Sequence, residues 1–464
     1  MRRRRRGPAR GGPGGDELLQ VRRQGHPRLG GRHRQGTRLL RGGRQEHRAA
    51  DPGADADPRW ELRLGPARHR DHRDAARTAR HQPLHRLAAD SVAGPYRRAA
   101  FHGGVRRQGH PALPGPGPRR RAGARRRGGP RVKISCFLSA QFDPSASAAE
   151  GIDGVLAQAA AAEAAGFHAV YLGHHYLARS AFVQPVPLAG YLAHATSRVR
   201  IGFGVLLAPL LNPVALAEDL ASLDVLCGGR LTVGIGAGYR RRETTAFGVA
   251  WEDRLRRLRE YVPILRALWN GETIDAAGSW GEVPGASLAL RPAQPGGPPL
   301  WIGAFAEPAV RRAARLDAPW LIGPKGNDAE LARLLGIYRA DLEERGFPLD
   351  REYPMSREAY LGDSYPAAVA AVRPHLQRQY AGYKSWDDAQ SLDLDRYLAE
   401  DCLVGSADEI VAKLRRWETQ LGITEVSLRH QFVGASQDEA MEQLARFGAE
   451  VIPRVATTVP GVTR

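Results

Sequence analysis

From residue 132 onward, short apolar and β-branched runs alternate eight times with stretches whose apolar residues recur at helical spacing. The runs lie near 133–138, 169–172, 199–206, 231–236, 300–303, 320–322, 357–361 and 425–428. A strand followed by a helix and another strand is the signature of a parallel βαβ unit. Eight such units in about 330 residues fit a (β/α)8 TIM barrel with insertions better than an open doubly wound sheet. The helical stretches agree: Val155, Ala159 and Ala162 share one face, and Gly166 ends the run before the next strand. Two segments break the rhythm. One, 271–299, is rich in Gly and Pro; the other, 362–403, contains Tyr380, Tyr383, Trp386 and Tyr397. Both are expected to be loops over the active face, where long interruptions of a barrel usually lie.

The composition changes sharply near residue 131. Residues 1–131 hold 34 arginines against 10 acids, a net charge of +24, whereas the remainder has 34 bases against 39 acids, a net charge of −5. The first segment contains no Lys, Ile, Asn or Cys and offers no apolar period for a helix face or a strand, so it is expected not to fold alone. Basic runs at 2–6 and 119–127 would suit a polyanion, but only Trp60, Tyr96 and Phe101 accompany them, too few to stack bases, and no nucleic-acid partner is expected. Arg, Gly, Pro and Ala in these proportions also arise when GC-rich DNA is read in a frame that is not a gene. Residues 1–131 are therefore expected to be a disordered or spurious extension, and 132–464 the enzyme domain.

No apolar stretch approaches a bilayer span, and the Arg-rich start lacks the core of a secretory signal. Cys136, Cys227 and Cys402 are odd in number, far apart and not at zinc-ligand spacing. The expectation is a cytoplasmic protein with reduced thiols, no membrane partner and no metal.

In a (β/α)8 barrel, chemistry sits where strands run into the following helices. Four such places stand out: Gly173-His174-His175-Tyr176, Gly202 through Pro209, Gly234-Ile235-Gly236-Ala237-Gly238-Tyr239, and Gly303-Ala304-Phe305-Ala306. The third imitates a dinucleotide fingerprint, but its last glycine falls one place early and Tyr239 occupies a position that should be small.

Across 197–248, Arg200-Ile201-Gly202, Asn212-Pro213, Ala217-Glu218-Asp219, Leu223-Asp224, Gly228-Gly229-Arg230 and Phe247-Gly248 occur in an order and spacing that resemble the core of the bacterial luciferase-like, flavin-dependent monooxygenases. Trp269-Asn270-Gly271-Glu272, Pro298 through Gly303, Gly405-Ser406-Ala407-Asp408-Glu409 and Val451-Ile452-Pro453 extend the resemblance over 132–453.

The resemblance implies a flavin, or in some branches a deazaflavin, in the barrel mouth. It implies reduced FMN from a separate flavin reductase, reacting with oxygen to oxygenate a small organic substrate. His174 matches the family's base or hydrogen-bond donor. His175, Gly236, Gly238 and Tyr239 match positions beside the flavin, and Gly204-Val205 the place where a non-prolyl cis peptide backs its ring. Gly303, Ala304, Phe305 and Ala306 match the strand end and helix start that face the cofactor phosphate. The sequence departs from the family at Gly173, where a Glu is commoner, and at Ala306, where many relatives have Ser or Thr. Arg240, Arg241 and Arg242 could offset the second departure, or hold a deazaflavin tail. Deazaflavin hydride transfer and a non-catalytic flavin-binding barrel stay open as alternatives. The resemblance also implies a homodimer, for which the apolar stretch 214–226 is suited.

Overall fold

The computed structural model describes residues 63–64, 132–142, 147–178, 180–384 and 392–455. Apart from Arg63 and Leu64, the segment 1–131 lies outside the described residues, as does Trp386. Eight parallel strands form the centre: β1 (Lys133–Leu138), β2 (Ala169–Leu172), β3 (Arg200–Leu206), β4 (Leu231–Ile235), β5 (Leu300–Ala304), β6 (Trp320–Ile322), β7 (Pro354–Leu361) and β8 (Glu425–Arg429). They pair in the order β7-β8-β1-β2-β3-β4-β5-β6. A further pairing of Met355 with Ile322 joins β7 to β6 and closes the TIM barrel. The strands are almost wholly buried because helices cover their outer face and side chains fill the axis, which is why they read as continuous apolar runs rather than alternating ones.

Helix Ala148–Ala165 shows how local chemistry sets the boundaries. Ser147 and Glu150 form a reciprocal capping box at its start, and Gly166 at φ +86° closes its end in the left-handed conformation. Its buried Val155, Ala159 and Ala162 pack on the barrel wall, as their spacing predicts.

Three local expectations need correction. The 271–299 segment is not a plain loop. It contains a hairpin of strands Ile274–Gly278 and Gly281–Ala286, packed on the outer helix Asp253–Asn270 through Trp280 Nε1–H donating to Glu260 (2.8 Å) and Arg257 donating to the Ser279 carbonyl (2.7 Å). The 362–403 segment does sit at a strand end, but its described residues are not a loop: helix Tyr365–Lys384 is followed by a short strand, Leu403–Gly405, that pairs with Ala359, Tyr360 and Leu361 of β7. Finally, Arg63–Leu64 forms a two-residue strand antiparallel to the hairpin edge at Ile274 and Asp275, in a region expected to contain none. No helix among the described residues is long and apolar enough to cross a membrane. The three cysteines are free and buried, and among the described residues no cluster of His, Cys, Asp or Glu could hold a metal ion.

Candidate active site at the barrel mouth

Side chains alternate along a strand between the barrel axis and the helix layer. Phe137, Tyr171, Trp301 and Leu321 form an apolar cluster on the axis, with Val205 packed against it, and with Gly204 and Ser427 they line a small cavity. The same parity puts Gly173, Gly204, Gly236, Gly303 and Gly323 inward at the C-terminal ends of five neighbouring strands, β2 to β6. A Cβ on Gly236 would stand 2.6 Å from Val205 Cγ2, one on Gly303 2.8 Å from Val205 Cγ1, and one on Gly173 3.0 Å from Phe137. A Cβ on Gly323 would run into the Phe305 ring. Glycine is therefore required for Val205 and its neighbours to lie where they do. The result is an arc of bare backbone with Val205 as its apolar floor. The Gly204–Val205 peptide is cis, at the place the resemblance implies.

The two histidines after β2 have different surroundings. His174 is only 5% exposed. Its Nδ1 accepts the Leu207 backbone N–H (3.1 Å), so the ring proton is on Nε2, which donates to Gln184 Oε1 (3.1 Å). The Gln184 amide in turn donates to the His175 carbonyl (3.1 Å). Burial, with the neighbouring His175, pulls the His174 imidazole down to about 4, so it is neutral at physiological pH. His175 is the more exposed of the pair, with its ring 5.8 Å from that of Tyr239 and its Nδ1 3.3 Å from Glu243 Oε1.

Glu243 is one residue that sequence reasoning missed. Gly173 stands where a Glu is commoner, yet the helix Arg241–Ala246 supplies a carboxylate to His175 from 68 positions along the chain. Glu243 is buried and accepts from the Tyr176 N–H (2.9 Å) and Arg240 Nη1 (2.9 Å) as well. Burial alone would raise its carboxyl, but the His175 hydrogen bond and charge, the Tyr176 N–H and the Arg240 guanidinium together hold it below the usual carboxylate range. Arg240 also donates to the Tyr176 carbonyl (2.9 Å). This corrects its reading as a phosphate ligand: its guanidinium is buried in the wall of the site, while Arg241 and Arg242 are exposed.

Gly238, at φ +79°, turns the loop after β4 in a conformation that L residues rarely adopt, and leaves Tyr239 58% exposed. At the end of β5, Ala304 is buried; beyond it Phe305 is 63% exposed and Ala306 is the N-cap of helix Glu307–Arg315. That helix start is a sparse anion cradle. Ala306 has no hydroxyl, Pro308 has no N–H, the Ala309 N–H donates to Ala306 O (2.9 Å), and Glu307 adds an acid in the first turn.

The opposite side of the mouth is charged. Glu358 of β7, Arg429 of β8 and Phe137 of β1 are register neighbours. Glu358 accepts from Gln379 (2.9 Å) and Tyr380 (3.1 Å) of helix Tyr365–Lys384, and Arg429 lies over the Phe137 ring with Nη1 3.9 Å from Glu358. Burial raises the Glu358 carboxyl above its ordinary value. Sequence reasoning singled out neither residue, since a lone Glu and a lone Arg in two strands carry no signal until register pairs them.

The residues fit a flavin at the ring end, where the strand-end glycines let Val205 and Phe305 lie close against the backbone as an apolar surface. They fit its phosphate less well.

The family model described as luciferase-like monooxygenase matches residues 132–425. The oxygenase component of a flavin-dependent trigonelline monooxygenase from Acinetobacter baylyi is 28% identical over 320 residues, covering 63% of this chain and 86% of that protein. An F420-dependent glucose-6-phosphate dehydrogenase from Nakamurella multipartita is 27% identical over 331 residues, covering 65% of this chain and 92% of its own. Among solved structures, a monooxygenase from Streptomyces bottropensis superposes with a TM-score of 0.65 at 26% identity, covering 70% of this chain and all of that one.

Proposed function

This chain belongs to the luciferase-like monooxygenase family, and on that premise we propose that its barrel mouth takes reduced FMN, with which it oxygenates a small organic substrate. The observation that carries this reading is the bare-backbone arc from Gly173 to Gly323 floored by Val205, which suits a flat ring system lying across the strand ends. Similarity to the trigonelline monooxygenase component supports oxygen chemistry and a separate reductase. Bound reduced FMN would supply the electrons that activate oxygen. The protein's part is to hold the ring against Val205, line it with Tyr239 and Phe305, and keep water out with helix Tyr365–Lys384. Proton handling falls to the histidines after β2, of which the family resemblance singles out His174.

A second reading, deazaflavin-dependent hydride transfer, is favoured by the sparse helix start at Ala306 and by similarity to the F420-dependent dehydrogenase. Titration with reduced FMN and with reduced F420, each followed by oxygen uptake, separates the two. Tight FMN binding with substrate-dependent oxygen consumption supports the monooxygenase. F420 binding with substrate reduction or oxidation and no oxygen consumption replaces it with the dehydrogenase.

Pairing of two copies through helix Pro213–Leu226, whose Val225 and Leu226 are exposed, belongs to the same proposal, as does a cytoplasmic location. Light scattering at micromolar concentration checks the dimer, and a monomeric mass removes it.

A further inference from the structure

Arg357 of β7 is wholly buried on the outer side of its strand, in line with Met355, Ala359 and Leu361, which belong to the apolar layer beneath the helices. An apolar side chain would suit such a position, because a guanidinium taken out of water loses hydration that its neighbours must replace. Burial disfavours its charge, Tyr397 and Asp401 offset part of that, and Nε has no hydrogen-bond partner among the described residues. The remaining donors are used on one short segment. Nη1 donates to the Gly323 and Ser356 carbonyls, and Nη2 donates to the Gly326 carbonyl (3.1 Å). Gly323-Pro324-Lys325-Gly326 is the turn that leaves β6, and its composition does little to hold a shape. Two glycines add no Cβ restraint, Pro324 has no N–H to donate, and Gly326 sits at φ +114°. The planar fork of Arg357 ties the first and last carbonyls of this turn to the neighbouring strand.

The other side of the turn meets the mouth. A Cβ on Gly323 would run into the Phe305 ring, so that ring is seated directly on the Gly323 backbone. Lys325 Nζ lies 5.5 Å from the centre of the Tyr380 ring, on the helix that covers the charged side of the mouth. We propose that Arg357 is a positioning residue for the barrel mouth: by holding the Gly323 and Gly326 carbonyls it fixes the turn that seats Phe305 and sets Lys325 against Tyr380. The inference rests on the flavin reading for what Phe305 lines, but the clamp on the turn does not. Two consecutive residues of β7 thereby anchor two walls. Arg357, facing outward, holds the turn after β6, and Glu358, facing inward, holds helix Tyr365–Lys384 through Gln379 and Tyr380. The two walls meet at Lys325 and Tyr380. A buried guanidinium is retained on this reading because a geometric requirement at the mouth outweighs its desolvation.

The test digests full-length protein with an endoproteinase that cuts after lysine, since the chain has four lysines, Lys133, Lys325, Lys384 and Lys413. Arg357→Met is expected to speed cleavage between Lys325 and Gly326 by about tenfold or more relative to the other three sites, as local opening of one turn requires. Equal acceleration at all four sites, which marks a merely structural role, overturns the proposal, and so does no acceleration. Arg357→Lys keeps the charge without the planar fork and serves if the methionine variant does not fold. The same ratio should rise, whereas cleavage at the lysine introduced at position 357 marks opening of the whole core and overturns the proposal. Binding is then measured with whichever of reduced FMN and reduced F420 the wild type takes up. Arg357→Met should weaken Kd about fivefold, but less than about twofold when made on Phe305→Ala, because the two residues act through one contact. An unchanged Kd, or losses that simply multiply, overturns the link to the mouth. If the wild type binds neither cofactor, the flavin reading fails, and the cleavage ratio still decides the clamp.

Discussion

The backbone N–H of Leu207 donates to Nδ1 of His174 across 3.1 Å, tying the segment just beyond the Gly204–Val205 peptide to the end of β2. Through Gln184 the same ring reaches the start of helix Pro185–Ala195. His174→Ala leaves the Leu207 N–H and the Gln184 amide without this partner in a buried setting, at a cost of about 2 to 3 kcal/mol. Urea denaturation should show that loss. Unchanged stability with lost turnover would instead support a catalytic role for His174.

Gly236→Ala tests the floor of the mouth. Its Cβ would stand 2.6 Å from Val205 Cγ2, so Val205 must move into the space assigned to the flavin. FMN affinity is expected to fall about tenfold or more, roughly 1.4 kcal/mol, measured by fluorescence quenching. Gly190→Ala is the control. Gly190 lies in helix Pro185–Ala195 with open space around its Cβ position, so affinity should hold and stability rise by about 0.5 to 1 kcal/mol.

Acid stability should depend on buried histidines. Burial depresses His430 to about 3, and both its ring nitrogens are without hydrogen-bond partners between Phe167 and Phe447. A histidine whose folded value lies below its unfolded value near 6.5 stabilises fully above that pH. That stability is lost as pH falls toward 3, because the unfolded chain takes up the proton first. His430→Phe removes the term. Relative to wild type, the variant should gain about 1.4 kcal/mol per pH unit below pH 6.5, read from melts between pH 7 and 4. A constant difference across that range would contradict this. Glu358 and Glu425, raised by burial, act in the opposite direction in both proteins and cancel in the comparison.

Deleting residues 1–131 should leave folding and cofactor affinity unchanged. Among the described residues that segment contributes only the pairing of Arg63–Leu64 with the hairpin edge, on the outer side of the barrel. Thermal melts and FMN titration of the 132–464 fragment check this. A fragment that precipitates while the full chain stays in solution would count against it.

The barrel itself was legible in the sequence. All eight strands appear where the apolar runs lie, because strands buried on both faces need continuous apolar residues and the intervening helices need a one-sided stripe. Glycines at four of the strand ends were legible as well, and at Gly236 and Gly303 the close approach of Val205 admits no other residue. Helix Tyr365–Lys384 was harder to see, since its Pro374 and mixed polarity hide the period.

What the sequence by itself determined was thus the repeated unit, its closure into a barrel, and the glycine-rich strand ends that mark the mouth. Which histidine faces which partner was decided only by tertiary structure. His174 and His175 are chemically identical, and local pattern cannot say that Leu207 will donate to one while Glu243, 68 residues away, accepts from the other. The same holds for Glu358 and Arg429, brought together by the register of β7 on β8. Hydrogen-bond partnership is a property of relative position at the scale of tenths of an ångström, and that is set by the packing of the whole barrel rather than by neighbours in the chain.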